Sequence, residues 1–203
     1  MLDKKIKRIF DLMFSCFSLI LLSPLFLIVA IVIKLESRGS VFFKQERLGE
    51  KGKVFEIYKF RSMCVGAEKK GVYEMQNDSR VTRIGRIIRA TSIDELPQLF
   101  NIIKADMSLI GPRPTLTYHP KRYEEYTNEQ KRRFVVKPGI TGLAQISGRK
   151  AMLWDERLKK DVEYVKNLSI MLDAYIFFKT FLVVISKKNN YNIEQTSKAS
   201  STR

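Results

Sequence analysis

With one histidine and two cysteines in 203 residues, the chain has little with which to build several familiar kinds of site. His119 has no companion for a zinc site or a catalytic triad, which argues against imidazole-based acid–base chemistry and histidine-rich metal binding. Cys16 and Cys64 have neither metal-like nor redox-like spacing, and Cys16 lies within an apolar run. No disulfide framework is expected, and a reducing compartment fits. Acidic residues are also scarce, with 21 Asp plus Glu against 37 Lys plus Arg, a formal net charge of +16. Such a surplus points to polyanionic partners: nucleic acid, an anionic lipid bilayer or phosphorylated substrates. Helix-turn-helix, zinc and RNA-binding signatures are missing, as are the Gly-Lys-Ser/Thr ending of a P-loop and the Rossmann fingerprint. The length suits one domain with a substantial core.

Charge is missing altogether from Leu12 to Ile33, a run of 22 residues. As a helix it would measure roughly 33 Å, about the thickness of a bilayer's hydrocarbon core. It is too long for a signal-peptide core, and no small-residue cleavage site follows it. Residues 1–36 therefore read as a membrane-anchoring segment. Ser23-Pro24 falls at its middle, where proline removes one backbone hydrogen bond and Ser23 can satisfy the freed carbonyl. Lys4, Lys5, Lys7 and Arg8 precede the run, and Lys34, Arg38, Lys44 and Arg47 follow it. The positive-inside rule wants both ends on the cytoplasmic side, which a helix that breaks at Ser23-Pro24 and returns satisfies. A kinked spanning helix is the alternative. Asp11, near the entry, is expected to pair with Lys7 or Arg8.

The stretch that carries chemistry runs from Arg89 to Pro114. Pro97 is tolerated only in a first turn, and Leu96, Leu99, Phe100 and Ile103 repeat at helical spacing. A helix is thus expected to begin between Ser92 and Leu96, with Asp94 and Glu95 at its N-terminus. There the macrodipole favours ionised carboxylates, which can act as nucleophile or metal ligand. The plain reading of the same residues is a capping box of Ser92 and Glu95, or Asp94 as N-cap. Upstream, Arg83, Arg86 and Arg89 recur every third residue and are expected on one helix face; downstream, Arg113 is clamped between two prolines. Carboxylates ringed by arginines suggest a site for phosphates with a bridging metal.

Around this stretch, Val41–Arg47 and Val54–Arg61 read as a β-hairpin, with Phe55, Ile57, Lys59 and Arg61 on one face. Lys59 either aims into a site or snorkels to the surface. Met63 to Asp78 is expected to be a mobile loop, lid or linker. Tyr118 to Arg133 reads as an exposed helical excursion. Lys137 to Arg149, punctuated by Gly139, Gly142 and Gly148, could wrap a nucleotide or simply turn between short strands. Trp154–Val165 and Leu172–Ile185 read as helices, the second too short to span a bilayer and suited to a core or an interface. Asp173, beside so apolar a run, needs a partner, and an arginine of the central stretch could supply it. From residue 187 the composition is that of a disordered tail.

Several of these segments stand in a recognisable order: Lys7-Arg8-Ile9-Phe10-Asp11, Ser23-Pro24, Phe42-Phe43-Lys44-Gln45, Tyr58-Lys59-Phe60-Arg61, Asp94-Glu95-Leu96-Pro97-Gln98-Leu99, Gly111-Pro112-Arg113-Pro114 and Lys137-Pro138-Gly139-Ile140-Thr141-Gly142. In them the chain resembles the small monotopic phosphoglycosyl transferases of bacteria, sugar transferases that start glycan assembly on polyprenyl phosphate, such as the initiating enzyme of protein N-glycosylation. The resemblance implies a mainly helical α+β fold: a re-entrant N-terminal membrane helix over 1–36, then a small β-hairpin and amphipathic interfacial helices around a compact catalytic core over 37–186. It implies transfer of a phospho-sugar from a UDP-sugar to polyprenyl (undecaprenyl) phosphate, with release of UMP. Asp94 would be the nucleophile, and a covalent aspartyl-phosphosugar the intermediate. By the same resemblance Asp94 and Glu95 lie at Mg²⁺; Glu95 alternatively orients or deprotonates the acceptor. Lys59, Arg89 and Arg113 hold phosphates, Asp173 belongs to the active-site constellation, and Ser23 and Pro24 mark the membrane re-entry. The setting would be the cytoplasmic face of the bacterial inner membrane, with downstream glycosyltransferases as associates and no nucleic acid. The competing readings are a membrane-tethered basic nucleic-acid-binding module, in which Asp94-Glu95 would repel its ligand, and a scaffold without catalysis.

Overall fold

A computed structural model of the chain describes residues 2–67, 71, 78–148 and 152–186. The N-terminal run forms two helices, α1 (Leu2–Leu21) and α2 (Ser23–Glu36), which meet at 61°. Pro24 has no amide hydrogen to offer the carbonyl of Ile20, and the Ser23 hydroxyl donates to that carbonyl instead, at 2.8 Å. The break is thus chemically satisfied. Among the described residues no single helix is long and apolar enough to cross a membrane, although the bent pair together passes by length and composition.

The expected hairpin is present as β1 (Phe42–Leu48) and β2 (Val54–Phe60), antiparallel with Lys44 opposite Tyr58. After it come α3 (Arg83–Ala90), a 3₁₀ turn over Ile93–Glu95, α4 (Gln98–Ile103) and β3 (Ser108–Ile110). The chain closes with α5 (Asn128–Lys131), β4 (Gly139–Thr141), α6 (Leu143–Ser147), α7 (Trp154–Lys166) and α8 (Ile170–Ser186). One core of Ile57, Ile102, Met107, Ile110, Tyr164 and Ile176 binds β2, α4, β3, α7 and α8. A second, of Val29, Ile33, Phe60 and Ile88, fastens α2 to β2 and α3. Fully burying one such aliphatic or aromatic side chain is worth about 1.5–3 kcal/mol, so the helix pair is packed onto the body rather than merely tethered to it.

Several sequence expectations need correction. Asp11 pairs with neither neighbour: Lys7 reaches Asp173 at 2.6 Å, Arg8 donates to the carbonyls of Ile102 and Ile103, and Asp11 accepts the amide of Leu109 at 3.1 Å. The guanidinium thus caps the C-terminal carbonyls of α4, adding to the Ala105 amide that already donates to Ile102 at 3.0 Å. The segment from Tyr118 to Arg133 is no exposed helix. It contains a 3₁₀ turn at Tyr123–Glu125, the four-residue α5 capped by Thr127 and the start of a second 3₁₀ turn at Arg132–Phe134, with Tyr126 and Arg133 buried. Most of the expected loop between Met63 and Asp78, and the tail from residue 187, lie outside the described residues.

Candidate active site

Helix α3 ends in a tight reversal. Thr91 is its C-cap, and Ser92 takes a left-handed conformation at φ 60°, rare for a residue with a Cβ. The turn of Ile93–Glu95 follows, and the regular α-helix starts only at Gln98, later than the spacing suggests. The reason is Pro97: around it the amides of Leu96, Leu99 and Phe100 bond three residues back, to Ile93, Leu96 and Pro97. The expected capping box does not form. Ser92 makes no side-chain cap, and the Glu95 carboxylate turns away from the helix end towards two cations.

Lys59 Nζ lies 2.7 Å from Glu95 Oε1, and Arg113 reaches both oxygens, Nη2 to Oε1 at 2.6 Å and Nη1 to Oε2 at 3.3 Å. Lys59 therefore aims inward instead of snorkelling. What fixes its strand is Asn101, fully buried on α4, whose side chain accepts from the Tyr58 amide and donates to the Glu56 carbonyl. Burial alone would push the Glu95 carboxyl up, but Arg113 and Lys59, by charge and by hydrogen bonds, hold it well below the usual carboxylate range. Burial lowers Lys59 despite Glu95, whereas the Glu95 charge raises Arg113. Asp94, only 7% exposed, lines the same cleft of about 1100 Å³.

The arginine of the Gly111–Pro114 loop is itself held in place by residues the sequence reading missed. Arg133 donates to the Arg113 carbonyl at 2.7 Å while forming a buried pair with Asp161, and Arg47 donates to the Pro114 carbonyl at 3.2 Å. Burial, followed by the nearby Arg113, lowers Arg47 to about 10. Below Arg113 the loop is pressed against β4, where Gly139 and Gly111 exchange backbone contacts with Pro112 and Thr141. A Cβ on Gly139 would collide with the Gly111 amide, so only glycine fits there. The Lys137–Gly142 segment is in this respect the plain alternative, a short strand parallel to β3.

Of the three upstream arginines only Arg89 faces the cleft, donating to Ser62 Oγ at 3.0 Å; Arg83 and Arg86 are exposed. A period of three drifts about 60° per step around an α-helix, too far to keep three side chains on one line. Asp173 lies away from the cleft lining, bonded to Lys7 and to the Tyr164 hydroxyl at 2.7 Å, and no arginine of the central stretch reaches it. Its partner came from α1, which nothing in the local spacing announces.

Among the described residues no three His, Cys, Asp or Glu side chains gather into an all-protein metal cage. Mg²⁺ rarely needs one, since it is commonly held by one or two carboxylates plus substrate phosphates. Asp94 with Glu95 beside it meets that requirement. Apolar side chains make up another part of the cleft lining: Phe14 of α1, Leu22 at the break between α1 and α2, and Phe177, Phe181 and Val184 of α8. The outer faces of these helices expose Phe17, Ile20, Met171, Phe178 and Leu182, a far larger apolar surface than single scattered residues make.

Fold and site together define an α+β protein with a bent apolar helix pair, in which an acidic pair meets a surplus of cations in a cleft lined elsewhere by apolar side chains. Residues 2–187 match the family described as bacterial sugar transferase, and the chain belongs to that family. It is 44% identical over 185 residues to a UDP-N-acetylgalactosamine-undecaprenyl-phosphate N-acetylgalactosaminephosphotransferase of Aeromonas hydrophila, covering 89% of this chain and 44% of that protein. It is 44% identical over 199 residues to the uncharacterized sugar transferase EpsL of Bacillus subtilis, covering 98% of this chain and 95% of that one. A UDP-glucose:undecaprenyl-phosphate glucose-1-phosphate transferase of Caulobacter vibrioides is 40% identical over 191 residues, with 91% and 72% covered. The chain thus spans less than half of the Aeromonas protein and nearly all of the Bacillus one.

Proposed function

We propose that the chain transfers a sugar 1-phosphate from a UDP-sugar to undecaprenyl phosphate, or a similar polyprenyl phosphate, on the cytoplasmic face of a bacterial inner membrane. The observation that carries this is the Asp94–Glu95 pair among Lys59, Arg89 and Arg113, in a cleft whose lining also includes apolar side chains of α1 and α8. The activities for which the Aeromonas and Caulobacter relatives are named support the same chemistry. The exposed apolar faces of α1, α2 and α8 suit insertion into an anionic bilayer from one side, with re-entry at Ser23-Pro24.

In the first step an Asp94 carboxylate oxygen attacks the β-phosphorus of the donor. The bond from that phosphorus to the bridging oxygen breaks, UMP leaves with the electron pair, and a sugar-phosphoryl ester of Asp94 remains. In the second, an oxygen of the polyprenyl phosphate attacks the same phosphorus and Asp94 departs as a free carboxylate. No net proton moves in either step. Phosphoryl transfer of this kind depends mainly on positioning and on charge stabilisation. Arg113 and Lys59, held on Glu95 before substrate arrives, exchange that carboxylate for phosphate oxygens. Glu95 keeps them aligned until then and is released to serve as the second carboxylate. Mg²⁺, held by Asp94, Glu95 and phosphate oxygens, would neutralise charge on the diphosphate.

UMP release from UDP-sugars in the presence of Mg²⁺ tests the reaction, and recovery of a sugar-phosphate adduct on Asp94 tests the intermediate. Absence of both from the intact chain rejects the proposal. Accessibility labelling of cysteines introduced near residues 4 and 38 tests the topology: opposite sidedness excludes re-entry.

A further inference from the structure

The same cleft has a second polar corner that the two transfer steps leave unused. On α6, Gln145 has both its Oε1 and its Nε2 buried without a hydrogen-bond partner, and at the start of α7 the Trp154 Nε1 is in the same condition. Both side chains line the cleft that holds Asp94 and Glu95. Unmet buried polar atoms are rare in folded proteins, and three on two side chains that line one cleft require an explanation. The corner is firmly built. The Arg157 guanidinium lies over the Trp154 ring at 4.8 Å, and the His119 ring meets it edge-on at 5.4 Å. Gln145 Oε1 sits against Gly142, 3.1 Å from where a Cβ would stand, on the segment that packs beside the Gly111–Arg113 loop. Nothing suggests that the amide has been left unpaired by looseness.

We propose that Gln145 and Trp154 recognise the nucleobase of the sugar-nucleotide donor, through the lactam edge of a uracil. This assignment rests on the donor reading given above. A primary amide carries a donor and an acceptor side by side, and the ring N3–H of uracil with its neighbouring carbonyl presents the matching pair on one edge. The second carbonyl then accepts from the Trp154 indole N–H. An acetamido group on the sugar is a poorer match, because its trans amide points N–H and C=O in opposite directions and cannot engage both ends of Gln145 at once. Arg47 is within electrostatic reach both of His119, which packs on Trp154, and of Glu95 and Arg113. The base would be read by Gln145 and Trp154 and the diphosphate by the cations around Glu95.

The test is equilibrium binding of UMP, and of UMP methylated at N3, to the full chain in detergent or nanodiscs with Mg²⁺. Wild type is expected to bind the methylated nucleotide roughly tenfold more weakly, the usual effect of leaving one buried hydrogen bond unmade. Gln145→Leu is expected to weaken UMP about tenfold and to lose the distinction between the two nucleotides, while Trp154→Phe weakens both alike. Should Gln145→Leu fail to fold, the wild-type response to N3 methylation and the variant Gln145→Glu carry the test. Wild-type indifference to the methyl group overturns the assignment, as does a Gln145→Leu protein that binds UMP normally and discriminates only against acetamido-sugar nucleotides. A chain that releases UMP from a UDP-sugar yet ignores the methyl group rejects this subsite alone. One that neither binds UMP nor releases it rejects the donor reading together with the subsite.

Discussion

Two carboxylates, half-buried Glu95 and buried Asp161, stand in the wall of one cleft, each bonded to an arginine, yet their acidities move in opposite directions. Burial pushes Asp161 up, and Arg133, with smaller contributions from Arg157 and Arg113, does not compensate; Glu95 is pulled down because Arg113 and Lys59 act on it together. The surroundings differ in kind. Arg133 and Asp161 are 2% and 3% exposed and form a one-to-one pair, with the Nη2 that bonds Asp161 also donating to the Arg113 carbonyl. Around Glu95 cations outnumber carboxylates, and the Arg113 side chain is 41% exposed towards the opening. A balanced, sealed pair holds a loop in place, whereas an overcompensated, open one has positive field to spare for an incoming diphosphate.

The sharpest way to break this contrast is at Asp94, the other carboxylate that lines the open cleft beside Glu95. Asp94→Asn keeps the shape but removes the anionic oxygen, so UMP release is expected to fall by about a thousandfold or more with the melting temperature nearly unchanged. An Asp94→Asn protein that turns over normally would remove Asp94 as nucleophile. Next in size is Asp161→Leu. It strands the buried Arg133 and should cost about 3–5 kcal/mol of stability, and Arg133→Met in the same chain should recover most of it. If the double variant is no more stable than the single one, the pair is not the structural clamp described here. Glu95→Gln should do the reverse. Arg113, 41% exposed, can turn to solvent at the cleft mouth, so the stability lost is smaller than in Asp161→Leu, while activity drops roughly tenfold to a hundredfold as Lys59 and Arg113 lose their alignment.

Which of these residues could be read from the sequence follows from how far their partners lie along the chain. Asp94, Glu95 and Arg113 sit in one stretch with prolines that fix its turns, so local pattern brings them out, whereas strand alternation leaves Lys59 open between a site and the surface. The helix break is legible too, because Pro24 and Ser23 act within one turn of Ile20. Asp161 reads as one more charge on an amphipathic helix, and Arg133 as part of a surface run of Lys131-Arg132-Arg133. Their pairing spans 28 residues and depends on tertiary packing. Asp173 misled for the same reason, since its cation comes from α1, 166 positions away. Ser92 and Glu95 match a capping box in spacing, but a capping box needs extended backbone at the cap, and Ser92 is left-handed. The one sequence clue to Asn101 is a polar side chain on the apolar face of α4, where a structural hydrogen-bonding role is the natural inference.

The smallest effect, and the one that separates the two carboxylates most directly, is in the acid limb of stability. Glu95 binds its proton less tightly folded than unfolded, where the ordinary value is 4.5. Its contribution is complete above that value and is lost as pH falls through the depressed folded value, because the unfolded chain takes up the proton first. The slope this adds is at most about 1.4 kcal/mol per pH unit. Asp161 has the opposite sign: its folded value lies above the ordinary 3.8, so acidification relieves a burial cost and adds stability. Melting in detergent between pH 6 and pH 3.5 should therefore show Glu95→Gln losing less stability than wild type on acidification. Asp161→Asn should lose more, each difference being taken relative to that variant's own value at pH 6. Identical slopes for the two variants would mean that both carboxylates feel the same field, and the distinction between a sealed clamp and an open anion site would fall with it.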